Sequence, residues 1–403
     1  MNVIIIGAGL GGLCLAQSLK RAGVGVSVFE RDEAPEARRQ GYRLHLDADG
    51  VAGLRAALPE DRFALFEATS MVPLRYTTIL GTDFAIRRRF VTDEYSRTTH
   101  HLDAGIATHL NVDRATLREI LLLGLEDVVR FGKALTHYES GEDGVTACFN
   151  DGSRVRGDLL VGADGAASAV RRQRHPQAPW MDSGARSIYG RLDLDVARRL
   201  LPPSALADVF TGAADERKLL LGVGPVIYPM RPELAAAALT PGCTLSPRQD
   251  YVGCIIAGRK EHFGDDATLR TLDSVGLQRL AARLLSGWPA PASDVVLAAQ
   301  PESFFYIEMR SSIPTTFDRP TNVTLLGDAV HTMTPSLGRG ANVALRDAAS
   351  LGQTILTALR SGQPMADALA GYEAEMQRYG FDVVRHSADM GARLLGQDPL
   401  PDA

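Results

Sequence analysis

The sequence predicts an α/β fold. A Rossmann-like dinucleotide-binding domain is interrupted by an inserted, mostly antiparallel β-sheet domain and closed by C-terminal helices. Three observations predict it. An apolar run at residues 3–6 leads into Gly7-Ala8-Gly9-Leu10-Gly11-Gly12, and an acidic residue, Glu30, ends the next apolar run. Further short apolar runs stand far downstream, at residues 159–161 and 323–326. Between these segments the strand–helix rhythm is lost and aromatic, alternating stretches take over.

Each element follows from local signals. Residues 3–6 and 24–29 are short, β-branched and continuous, as buried parallel strands are. Residues 10–22 read as the helix between them, closed by Gly23. Asp113 reads as the N-cap of a helix with Leu117, Ile120, Leu121 and Leu125 on its apolar face. Residues 72–98 and 176–310 read as the inserted sheet, with Ser303-Phe304-Phe305-Tyr306-Ile307-Glu308-Met309 as one strand and a single helix at 277–285. Residues 343–359 carry Leu345, Ala348, Leu351, Ile355 and Leu359 on one face. Gly362 ends that helix and another starts at Met365. Residues 397–401 read as a frayed tail. The nucleotide-binding domain is therefore discontinuous: 1–71, 99–175 and 311–403.

Composition narrows the function. The 403 residues carry a net charge of −5 with a pI near 6.0. That opposes a nucleic-acid or anionic-membrane partner, which would want a basic face. A small-molecule partner is expected, for a monomer or homodimer. The cysteines, Cys14, Cys148, Cys243 and Cys254, form no C-x-x-C pair and read as reduced structural thiols. Neither a signal peptide nor an apolar stretch long enough to span a bilayer is evident, so a cytoplasmic protein is expected. His100, His101 and His109 with Asp103 match no zinc template, and no metal is expected. Arg87-Arg88-Arg89 reads as a solvated edge, with a phosphate contact as the alternative.

The glycine motif has its own chemistry. Gly7 permits a tight turn, Gly9 lets backbone approach a pyrophosphate, and Gly12 lets helix and strand pack. The helix N-terminus favours the phosphate charge. Glu30, with Arg31 beside it, is placed for an adenosine ribose. A carboxylate there disfavours a 2′-phosphate, so NAD or FAD fits and NADP does not.

Two other motifs separate those cofactors. Gly162-Ala163-Asp164-Gly165, followed by Ser168, Val170 and Arg171, resembles the "DG" motif of class A flavoprotein monooxygenases. Gly327-Asp328-Ala329-Val330-His331, running through Pro335 to Gly338-Arg339-Gly340-Ala341-Asn342, resembles their "GD" motif and flavin loop. That family includes p-hydroxybenzoate hydroxylase and the tetracycline-inactivating monooxygenases. The resemblance implies a Rossmann-like FAD-binding domain with a substrate-binding sheet. It implies that NAD(P)H reduces the flavin, and that one atom of dioxygen reaches an organic substrate through a flavin C4a-hydroperoxide. It further implies that Asp328 bonds the ribityl chain, that Arg114 contacts the cofactor, and that Asp164 and Gly165 serve FAD and a transient nicotinamide. Asp164 as a simple turn cap is the alternative. Gly340, Ala341 and Asn342 would place a helix start at the N1/O2 edge of the ring, and Pro335 and Gly338 would border the reacting face. His331 reads as structural.

The chain departs from that pattern at 41–49. The family often has a second glycine and a Pro-Asn pair there, where this chain has Arg43, Ala48 and Asp49. Arg43 either gates the flavin or meets substrate. Tyr189, Arg191, Tyr228 and Met230 are the candidate substrate contacts. Apolar Val226, Ile227, Phe304 and Phe305 point to an aromatic or polycyclic substrate and to hydroxylation, although core packing accounts for them equally well. Arginine clusters favour NADPH over NADH, and no second nucleotide domain is expected. The rival readings are a flavin oxidase, dehydrogenase or halogenase, or a non-catalytic FAD-binding paralogue. The W-x-W-x-I-P halogenase signature is absent.

Overall fold

Residues 3–6 are buried on both sides, and their strand, Asn2–Ile6, is the centre of a five-stranded parallel sheet. Gly25–Phe29 pairs on one side and Leu159–Gly162 on the other; Val129–Arg130 and Val323–Leu325 form the edges. A computed structural model provides this fold; it describes residues 1–37, 42–72, 74–92, 108–317 and 322–401. Gly41, His100, His101 and Asp103 lie outside the described residues. The chain enters this sheet at 1–29, returns at 129–130 and 159–162, and returns again at 323–325. Helix Leu10–Arg21 stops where Gly23 turns left-handed. It packs against Gly340–Ser361, which also packs on Ala48–Ala57. Gly362 and Gly396, both left-handed, end the last two helices, Gly340–Ser361 and Met365–Leu395.

A seven-stranded sheet holds the middle of the chain. Its order is Phe305–Ser312, Trp180–Asp193, Tyr251–Arg259, Leu220–Val226, Phe210–Ala214, Tyr76–Leu80, Ile86–Val91. All neighbours are antiparallel except Phe210–Ala214 with Tyr76–Leu80. Residues alternate between faces along each strand. Ile188, Leu192, Val223 and Ile256 face a helical layer through Leu277, Ala281 and Val295. Tyr189 and Arg191 therefore face the other way. Phe304 joins the helical layer too and presses on Gly190, so it is core and not pocket wall.

Three sequence expectations need correction. The helix expected at 277–285 spans Ser274–Leu284 and has companions: Leu194–Leu200, Ser204–Ala207, Pro232–Leu239, Asp266–Thr271 and Ala292–Leu297. These are eight residues or shorter, too short to show a helical period. A separate antiparallel meander, Leu135–Gly141, Gly144–Phe149 and Arg154–Gly157, was not anticipated. Its short strands sit between Gly-Asp turns that read locally as loop. The tail is docked, not frayed. Gln397 is buried and accepts from Thr334 Oγ1 at 2.8 Å, Asp398 N donates to Ser183 O at 2.9 Å, and the Asp398 carboxylate pairs with Arg259. No helix among the described residues is long and apolar enough to cross a membrane.

Candidate functional site

The nucleotide end is built from one local stretch. Gly7 has φ +109°, and a Cβ there would stand 2.3 Å from Ala163 O. A Cβ on Gly12 would stand 2.1 Å from Gly7 O, whereas one on Gly9 would meet nothing within 4 Å. Gly7 and Gly12 are thus required by packing, and Gly9 borders open space at the helix start. That start has no side-chain cap, so its first N–H groups remain available to an anion. Glu30 is buried; Oε2 accepts from Ala8 N at 2.8 Å and Oε1 from Asp32 N at 3.0 Å. Both oxygens keep lone pairs for further donors. Arg31 is exposed beside it. Arg118, which sequence reasoning missed, braces the same loop by donating from Nε to Ala8 O at 2.9 Å.

Asp164 follows the strand Leu159–Gly162, and Gly165 beyond it is left-handed. Asp164 Oδ2 accepts from Ala169 N at 2.6 Å and from Val170 N at 3.3 Å. That is a helix cap. Oδ1 is buried without a protein partner, and burial pushes the carboxyl up. The capping geometry is present, and the second oxygen remains for another donor.

Asp328 begins the short helix Asp328–His331 and is exposed. A Cβ on Gly340 would lie 3.9 Å from its Oδ1. Desolvation pushes the Asp328 carboxyl up, against the opposing charges of His331 and Arg114. Asp328, Arg114 and Gly340 therefore border one recess. His331 points elsewhere: Nε2 lies 2.6 Å from Asp347 Oδ2, which also accepts from Gly327 N at 3.0 Å. Burial alone would lower the His331 pKa; Asp347 outweighs it and raises it.

The loop before the long helix is held from two sides. Pro335, exposed, starts a 3-10 turn; Gly338 is left-handed at φ +65°. Asn342 is fully buried. Its Oδ1 accepts from Asp47 N at 2.9 Å, and its Nδ2 donates to His45 O at 2.9 Å and to Gly338 O at 3.0 Å. The Asn342 side chain thus staples the 45–47 segment to the loop, while Gly340 and Ala341 present backbone beside it. Arg339, again missed from sequence, lies 2.6 Å from Asp49 Oδ2 and 2.8 Å from Asp47 Oδ2, with Tyr379 Oη donating to Asp49 Oδ2 at 2.7 Å. His45 stacks on His109 with Nε2 2.9 Å from its Nδ1, and Gly338 lies against the His45 ring. Burial, then Arg43, His109 and Arg339, hold the His45 pKa well below its usual value.

The sheet supplies the opposite wall. Tyr189 stacks on Phe305 at 5.3 Å, and Tyr42 lies 5.7 Å from Tyr189 and 5.8 Å from Phe305, with Arg114 over Tyr42. Arg191 Nη2 lies 3.0 Å from Asp113 Oδ2, to which Tyr251 Oη donates at 2.9 Å. Asp113 also caps its helix by accepting from Thr116 N. Tyr228 Oη lies 3.3 Å from Thr116 Oγ1, the residue whose backbone Asp113 caps. Burial raises the Tyr189 and Tyr228 phenols. Arg43 Nη2 donates to Asn111 Oδ1 at 2.8 Å and Val209 O at 2.6 Å. Met230 does not join this group: it is 38% exposed beyond the strand end.

The residues fit FAD along this whole length: helix start, Glu30, an Asp328 recess and a glycine-bearing loop stapled in place. The FAD binding domain family model matches residues 1–387. The chain belongs to the class A FAD-dependent monooxygenase family. It is 34% identical, over 98% of its length, to the dual O-methyltransferase/FAD-dependent monooxygenase elcB of Phaeosphaeria nodorum. With the similarly named CTB3 of Cercospora beticola it shares 32% identity over 99% of its length. It covers 46% and 47% of those two proteins, so it spans about half their length. The FAD-dependent urate hydroxylase of Klebsiella pneumoniae is 28% identical over 93% of this chain and 85% of its own. The structure of Klebsiella pneumoniae HpxO complexed with FAD and uric acid superimposes with a TM-score of 0.78 at 25% identity, covering 99% of this chain and 90% of the other.

Proposed function

We propose that the chain is an FAD-dependent monooxygenase. It uses NAD(P)H and dioxygen to place one oxygen atom in an aromatic or polycyclic small molecule, with hydroxylation as the outcome. The observation that carries this is the meeting of two surfaces at one seam. Arg114 joins them: it acts on the Asp328 carboxylate beside Gly340, and it lies over Tyr42, whose ring meets those of Tyr189 and Phe305. A relative that acts on urate, by its name, and a neighbour that holds uric acid support a flat, conjugated substrate.

Bound FAD would supply the electron transfer and the activation of dioxygen. The chain's own residues bind, orient and exclude water. The first turn after Gly9 receives the pyrophosphate, and Glu30 accepts from the ribose. Asp328 would hold the ribityl hydroxyls, with Arg114 near enough to act on its charge. The start of the helix at Gly340 and Ala341 would offer N–H groups to the polar edge of the flavin ring, where they would favour negative charge. Pro335 and Gly338 border the reacting face, and Tyr189 with Arg191 orients the substrate ring. The nicotinamide cofactor, NADPH in preference to NADH, binds transiently in the same crevice, with Asp164 and Gly165 at its edge.

The test is steady-state turnover of purified, yellow protein against a panel of phenols, polyketides and indoles. Substrate-stimulated NADPH consumption, matched by oxygen uptake and a product heavier by one oxygen atom, is the expected result. Consumption without an oxygenated product would make it an oxidase or dehydrogenase. A colourless protein that cannot be reconstituted with FAD would remove the reading altogether. Asp328→Ala should weaken FAD on the order of ten- to a hundredfold, the worth of a charge-assisted hydrogen bond. An unchanged dissociation constant would remove Asp328 from the cofactor site.

A further inference from the structure

Arg43 differs from the other arginines of the seam. Arg191 meets Asp113, Arg248 meets Glu119, and Arg339 meets Asp47 and Asp49. Arg43 makes no ion pair with a carboxylate among the described residues. Its Nη2 has two neutral oxygens, Asn111 Oδ1 and Val209 O, and its Nε is buried without a partner. Burial lowers its pKa to about 10, so it still carries its charge at neutral pH. Its guanidinium also lies 5.7 Å from the centre of the Phe210 ring; a half-buried cation met by dipoles and a ring face, with no carboxylate, is costly. His45 adds no second charge there, since its own pKa is held low.

The sheet makes room for this cation. Gly224 and Gly253 are cross-strand partners in its interior. A Cβ on Gly224 would lie 2.7 Å from Arg43 Cδ and Nε; one on Gly253 would lie 3.5 Å from Arg43 Cβ. Paired glycines weaken a sheet interior, and a solvated arginine would not require them. Arg191 is the cross-strand partner of Gly253 and shares its face, and Tyr189 and Tyr251 are near enough to act on the Arg43 charge. Arg43 is also a position where this chain departs from the pattern it otherwise resembles.

We propose that Arg43 receives the anionic oxygen of an aromatic substrate, a carboxylate or a phenolate, whose ring lies along Tyr42, Tyr189 and Phe305. This rests on the monooxygenase reading and adds the charge class of its substrate. The guanidinium supplies the counter-charge the anion needs on leaving water, and the anion supplies the one Arg43 lacks.

The experiment titrates FAD-loaded protein with benzamide, benzoate and 4-nitrophenol, following flavin absorbance. Benzoate should bind wild type on the order of ten- to a hundredfold more tightly than Arg43→Gln, while benzamide binds both alike. Arg43→Lys should recover part of the difference. Bound 4-nitrophenol should ionise at lower pH in wild type than in Arg43→Gln. A benzoate preference without that ionisation shift assigns the carboxylate; the shift without the preference assigns the phenolate. Should Arg43→Gln fail to hold FAD, Gly224→Ala crowds the guanidinium without removing it, and the benzoate-to-benzamide ratio must fall there. Equal affinities across FAD-loaded variants overturn the proposal and leave Arg43 a brace between sheets. If no aromatic probe, neutral or charged, perturbs the wild-type flavin, the aromatic-substrate reading fails first and this proposal with it.

Discussion

The two ends of the crevice are made in opposite ways. At the nucleotide end, Ala8 N reaches Glu30 across 22 residues, and the glycines, strand and helix between them form one crossover. At the ring end, Asn342 reaches Asp47 across 295 residues, Arg339 reaches Asp49 across 290, and Tyr379 reaches Asp49 across 330. One end is local geometry imposed by residue type. The other is a set of long-range polar contacts that exist only after two distant segments have packed. The first should fail by steric exclusion and the second by loss of buried partners.

The largest effect should come from Gly12→Val. Its Cβ would overlap Gly7 O, a backbone atom, and would also press on Ala163 Cβ at 3.2 Å. Soluble, FAD-bound protein should be lost, whereas Gly9→Ala should fold with a thermal midpoint close to wild type and lose FAD affinity instead. Equal behaviour of the two variants would erase the division of labour between these glycines. Expression yield, flavin content and thermal midpoint provide the readout.

Next comes the ring end. Asp49→Ala leaves Arg339 with one carboxylate and removes the acceptor of Tyr379 Oη. Breaking a buried ion pair on one side costs about 3–5 kcal/mol. Urea unfolding should show a loss of that order, and bound flavin should change its visible spectrum as the 338–340 loop relaxes. A stability within about 0.5 kcal/mol of wild type, in the range of ordinary surface changes, would show the network to be incidental.

The docked tail should contribute less. Ending the chain after Gly396 removes the Gln397 partner of Thr334 and the Asp398 partner of Arg259. These contacts tie the seven-stranded sheet, through Arg259, to Thr334 at the start of the 335–340 loop. A loss of about 1–3 kcal/mol is expected from the hydrogen bonds, with a changed rate of flavin reoxidation. Wild-type stability and reoxidation after truncation would return the tail to the frayed state expected from sequence.

The smallest effect separates His331 from catalysis. Its folded pKa is raised from the ordinary 6.5, mainly by Asp347 against burial. The stabilisation is therefore full below the unfolded value and is lost as pH rises through the folded one. The melting difference between wild type and His331→Gln should shrink as pH rises from the ordinary histidine range through the raised folded value. A difference that grows with pH would reverse the assignment.

What sequence determined lies wherever residue type alone forces geometry. Gly7, Gly12 and Glu30 are brought together in one crossover because strand, turn and helix lie within thirty residues of one another. Asp113 as a cap and Gly362 as a stop were legible for the same reason. The motifs around Asp164 and Asp328 brought the family, and the resemblance named their roles. Tertiary structure decided what depends on partners far along the chain. His331 and Asp347 could be paired only once both were placed. Arg118 and Arg339 read as ordinary charged residues until their acceptors came into contact. Gln397, polar and next to Asp398-Pro399, read as solvent-facing, yet Thr334 and its surroundings bury it. Met230 and Phe304 looked suitable for a pocket, but strand alternation and the strand end sent one to the core and the other to the surface. Arg43 shows the limit most clearly. Its charge is visible in one letter; that no carboxylate among the described residues pairs with it, and that Gly224 and Gly253 on two neighbouring strands seat it, emerges only from the folded structure.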